Sequence, residues 1–119
     1  MIYTGSGLAI AWGVAHLAAT RSVVDGFGEI SRDNRLYITQ EWIAEGIAVC
    51  TVGILVILVT ALAAGEGASL IVYRVSAGFF LVVAGLTALT GARTPVLPFK
   101  ICPFLLTAVA ALLLVGSFL

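Results

Sequence analysis

The chain has 119 residues, 61% of them hydrophobic and 10% charged, with six Lys/Arg against six Asp/Glu and a formal net charge of zero. A soluble domain carries about 25% charged residues, so these charges are too few to coat a water-facing surface, and lipid is the solvent the composition fits. No basic patch points to nucleic acid, and the length holds one domain, residues 1–119.

The first apolar stretch, Gly5 to Val24, follows a start that lacks the basic region of a secretory signal, so it reads as a retained membrane segment. Gly5, Ala9 and Gly13 recur at every fourth residue, a spacing that lets membrane helices approach closely. His16 lies inside this stretch, with Trp12 one turn earlier and Thr20 one turn later on the same face.

The connection Asp25–Thr39 is long for so small a protein, and long loops often bind something. It contains Arg32 and Arg35, which suit phosphate or carboxylate groups or act as positive-inside determinants. Gly26 and Gly28 around Phe27 permit a turn back onto the bundle.

The second stretch runs from Gln40 to Ala64. Thr39 suits its N-cap, Glu41 its first turn, and Trp42 an interfacial anchor. Glu45 lies a turn deeper, where an ionisable group needs a partner or a function. After the tight hairpin Gly65–Gly67, the third stretch, Ala68 to Gly91, carries Arg74 as its lone charge. Arg74 is expected to snorkel outward or meet Glu66, with Tyr73 as an interfacial anchor. Ala77, Gly78 and Gly85 supply small residues for helix contact. Pro95 and Pro98 are expected to keep Ala92–Lys100 non-helical before the last stretch, Ile101 to Leu119.

All four stretches are long enough to cross about 30 Å of hydrocarbon as helices, and backbone groups in lipid must pair within the segment. The expected fold is an all-α integral membrane bundle of four transmembrane helices. Arg21, Arg32, Arg35, Arg93 and Lys100 fall on the side of the first and third loops, against Arg74 on the other. That asymmetry favours a cytoplasmic first and third loop with both termini outside; the expected location is the cytoplasmic membrane of a prokaryote. The plan of four short helices resembles DoxX-like small bacterial membrane proteins in architecture and size; the resemblance implies a four-helix membrane fold and assigns no residue a role.

At about 1.5 Å per residue His16 lies about 12 Å and Glu45 about 7 Å below the cytoplasmic boundary; a modest tilt brings them level on adjacent antiparallel helices, as candidates to pair. With Glu41 they form the candidate catalytic group, since a His–Glu pair holds or relays a proton. Trp12, Thr20, Trp42, Arg32 and Arg35 are the candidate ligand-binding residues, in a pocket open to the cytoplasmic side under the long first loop. Cys50 and Cys102 lie at different depths and read as packing residues rather than a disulfide. With one histidine in the chain, no metal site and no cofactor is expected.

Three functions fit. The first is binding of a lipophilic ligand, lipid or quinone-like, or of a larger membrane complex. The second is acid–base enzymology (isomerisation, cyclisation or hydrolysis) on a lipophilic substrate. The third is proton-coupled transport by an oligomer. The expected partners are the lipid bilayer, that ligand or complex, and further copies of the chain.

Overall fold

Backbone groups that lipid leaves no water to satisfy pair within their own segments, and the computed structural model, which describes residues 1–119, is helical throughout with no strand. The elements are α1 (Ile2–Ala18), α2 (Thr20–Asp25), α3 (Arg32–Ala63), α4 (Gly67–Leu89), a 3₁₀ turn at Gly91–Arg93, and α5 (Leu97–Gly116). Three of them, α3, α4 and α5, are long and apolar enough to cross a membrane. At 17 residues, α1 alone spans about 25 Å.

The first expected helix is broken at Ala19, between α1 and α2. Side chains claim the carbonyls just before the break. Thr20 Oγ1 donates to Leu17 O at 2.7 Å, and the Trp42 indole donates to His16 O at 2.8 Å. Such bonds compete with the helical ladder.

The long connection is mostly helix. Ser31, not Thr39, is the N-cap of α3, its hydroxyl accepting from Asn34 N at 3.1 Å. Thr39 instead donates to Arg35 O at 2.7 Å from within the helix, and Glu41 lies well past the first turn, where Asp33 sits. The 32 residues of α3 make a rod of about 48 Å, longer than a hydrocarbon core, so its polar first turns extend beyond the apolar part. The remaining turn, Gly26–Ser31, passes through Gly28 at φ +70°, a backbone region that suits glycine. Pro98 stands in the first turn of α5, where its missing N–H costs nothing, so that helix starts at Leu97 rather than Ile101.

The helices pack in a ring: α1 against α3 and α5, and α4 against α5 and α3. Phe80, Leu106, Val109, Leu113 and Val56 fill the centre. Tyr73 belongs there too. It is buried and donates to Thr60 Oγ1 at 2.9 Å, where an interfacial anchor was expected. Arg74 reaches neither Glu66 nor any other carboxylate; its Nε donates to Ser117 Oγ at 3.4 Å and its guanidinium covers the Phe118 ring at 4.9 Å.

The contact between α1 and α3 is the most extensive, and glycines bring the two backbones close. A Cβ on Gly13 would stand 2.5 Å from Cys50 Sγ and 3.1 Å from Gly46 O. One on Gly53 would stand 2.8 Å from Ile10 Cγ1 and 3.1 Å from Ser6 O. The expected role of Gly78 and Gly85 is not met: both face open space, and Ala77 and Ala84 make the buried side of α4.

Gly13→Ala is therefore expected to destabilise by about 1–3 kcal/mol, as overpacking against backbone does. Gly85→Ala should leave stability unchanged or raise it by up to about 1 kcal/mol through helix propensity. Thermal unfolding of both variants in detergent checks the contrast.

Candidate functional site

Of the expected site residues, Trp12, His16, Trp42 and Glu45 come together where α1 passes α3. Gly46 makes the local geometry possible, because a Cβ there would meet Leu17 Cδ2 at 2.7 Å and His16 Cδ2 at 3.1 Å. Leu17 and the edge of the His16 imidazole share that space, and the imidazole stacks on the Trp42 ring, centroids 3.8 Å apart and planes 10° apart.

Two hydrogen bonds lock the stack. His16 Nε2 lies 2.9 Å from Trp42 O, and Trp42 Nε1 donates to His16 O at 2.8 Å. A carbonyl only accepts, so Nε2 carries the proton. Each residue thus donates its ring N–H to the other's backbone. Trp42, expected as a headgroup anchor, is a clamp between two helices. Phe99 of α5 meets its edge at 5.5 Å and 81°.

Glu45, one turn along α3, brings Oε2 to 4.0 Å from His16 Nε2, so the two are level. The contact is not a hydrogen bond, because the Nε2 proton is directed at Trp42 O. No Lys or Arg pairs with Glu45, and its side chain is 41% exposed.

A cavity of about 290 Å³ opens beside these groups. Trp12, His16, Trp42 and Glu45 line it from α1 and α3. Leu86, Thr87 and Thr90 line it from the end of α4, and Val96, Pro98, Phe99 and Cys102 from the third connection and α5. It shares Val23, Trp42, Glu45, Leu86, Val96 and Phe99 with a wider, more open groove of about 980 Å³. Glu41 borders that groove and not the smaller cavity.

Thr20, Arg32 and Arg35 line neither space. Thr20 is spent on its own helix. Arg35 is a staple, donating to Asp25 Oδ1 at 3.0 Å and to Gly28 O at 3.4 Å, while Arg21 lies 3.8 Å from the same carboxylate. Arg32 is exposed at the start of α3. The lid is also different from the one expected: the proline-bearing third connection closes the small cavity, and the first connection contributes Gly26, Phe27, Tyr37 and Ile38 to the groove alone.

Sequence reasoning missed Thr87, Thr90, Phe99 and Cys102. The run Pro95–Val96–Leu97–Pro98–Phe99, apolar residues between two prolines beside a helix end, is the signal that marks such a cap. The thiol of buried Cys102 lies 3.9 Å from Thr87 Oγ1, and both cysteines are free. No three His, Cys, Asp or Glu side chains converge as a metal site.

The chain matches no family model, no curated protein and no solved structure in comparisons with known proteins.

Two outcomes follow from the clamp. Neutral His16 is expected in the Nε2–H form, readable as the protonated-nitrogen resonance at Nε2 in ¹⁵N NMR of the imidazole. Trp42→Phe keeps the aromatic face but loses the indole donor, and should cost about 1 kcal/mol in detergent unfolding.

Proposed function

We propose that the chain is a four-helix integral membrane protein, α1 crossing beside α3, α4 and α5, that binds a lipophilic small molecule in the cavity beside His16 and Trp42. The observation that carries this reading is the cavity itself: about 290 Å³ with aromatic walls, one carboxylate, and continuity with a wider apolar groove. Ligand sites are concave, mostly apolar, and marked by a few polar groups. The paired spaces suit a compact head in the cavity and an apolar tail in the groove.

The site lies at the end of the bundle that carries Arg21, Arg32, Arg35, Arg93 and Lys100. By the positive-inside rule that end is cytoplasmic and both termini are outside. Self-association goes with this reading, because α4 turns Ile71, Val75, Gly78, Val82 and Gly85 outward as one exposed apolar face.

An accessory subunit for a larger complex needs no such cavity. A transporter needs a polar path between the two ends, and Arg74 is engaged with Ser117 and Phe118 away from the cavity. Acid–base catalysis is the second reading, favoured by the 4.0 Å approach of His16 and Glu45 at the cavity wall. Since Nε2–H is committed to Trp42 O, the proton-handling groups left to it are His16 Nδ1 and the Glu45 carboxylate.

Native mass spectrometry of the purified protein is expected to show a retained lipophile. Ala15→Phe, which fills the cavity from α1, should abolish retention while the helical content stays unchanged. A wild-type protein that carries nothing and binds no added lipophile sinks the reading.

A further inference from the structure

The charge of the two spaces is lopsided. The cavity and the groove together present two carboxylates, Glu45 and Glu41, and no lysine or arginine. Five basic side chains lie at the same end of the molecule, yet none lines either space. Neither glutamate forms an ion pair with any of them.

Four of the side-chain hydrogen-bond donors that line the cavity are similarly turned away, the Trp12 indole N–H not being one of them. His16 Nε2–H goes to Trp42 O, Trp42 Nε1–H to His16 O, Thr87 Oγ1–H to Val83 O at 2.9 Å and Thr90 Oγ1–H to Leu86 O at 2.7 Å. The threonine oxygens keep lone pairs for a ligand, and Glu45 keeps a whole carboxylate. Around these acceptors stand the rings of Trp12, Trp42 and Phe99. Indole and phenyl faces attract cations, and aromatic walls with a carboxylate recognise ammonium groups.

From this arrangement we propose that the ligand is an organic cation: an ammonium head held by Glu45 and the aromatic walls of the cavity, with an apolar tail along the groove past Glu41. An anionic head would meet two carboxylates and no lysine or arginine. The inference rests on the lipophilic-ligand reading and adds the sign of the ligand's charge. The basic group nearest Glu45 is His16, whose Nε2 proton is held by a backbone carbonyl of the same site.

The test is calorimetric titration of the protein in dodecyl maltoside with three probes: hexyltrimethylammonium, its uncharged carbon isostere 2,2-dimethyloctane, and hexanesulfonate. The cation should bind at least about tenfold more tightly than the isostere, which corresponds to about 1.4 kcal/mol, and the sulfonate more weakly than both. Glu45→Gln, equal in size, should erase the preference for the cation over the isostere. Equal affinities for cation and isostere in the wild-type protein overturn the charge assignment while leaving the lipophilic site standing. A preference that survives Glu45→Gln overturns it as well. Absence of binding by all three removes both readings together.

Discussion

The structure turns on how closely α1 and α3 approach. Gly13, Gly46 and Gly53 leave out the Cβ atoms that would hold the two backbones apart. At that separation His16 can reach a backbone carbonyl of α3 and Trp42 a backbone carbonyl of α1. In an apolar surrounding such bonds are electrostatically stronger than in water. The exchange lays the two rings flat on each other, ties off α1 at Ala19, and raises one wall of the cavity. A wider helix pair would lose all of these at once.

The polar groups at this end divide into two sets with separate work. Arg21, Asp25, Arg35 and Gly28 O bind one another and hold the short α2 and its turn onto the start of α3. His16, Trp42 and the two cavity threonines satisfy the helices' own carbonyls. Glu45 belongs to neither set, since its carboxylate has only the 4.0 Å approach of the imidazole. The question that an ionisable group in an apolar helix raises thus falls on Glu45 more sharply than on His16, which is internally satisfied.

The helical class and the apolar cores of all four stretches are legible in the sequence, because uninterrupted runs of apolar residues admit no other way of pairing the backbone. The small-residue spacing in α1 is legible too. What escapes is whatever lacks a local signature. The start of α3 at Arg32 lies outside the apolar run, where polar residues carry no hydropathy signal and only the Ser31 cap marks the helix. Tyr73 reads as an anchor until Thr60, on another helix, supplies its acceptor. Trp42 has the same ambiguity, since an indole near a helix end serves a headgroup or a neighbouring carbonyl equally well. Gly78 and Gly85 show the converse: glycine permits close approach, but the partner must be there. The cavity is the least legible feature, because its far wall comes from the end of α4 and the third connection, distant in the chain from His16.

The placement of the indoles gives the molecule a spectroscopic property. The chain has two tryptophans, and both border the cavity. Its tryptophan emission therefore originates from one place. Trp42 emits with an imidazole 3.8 Å from its face, so its quantum yield is tied to the integrity of the stack. Trp12 views the same space from α1. The protein thus carries a native optical probe at the one point where its two halves of chemistry, helix clamp and open carboxylate, come together.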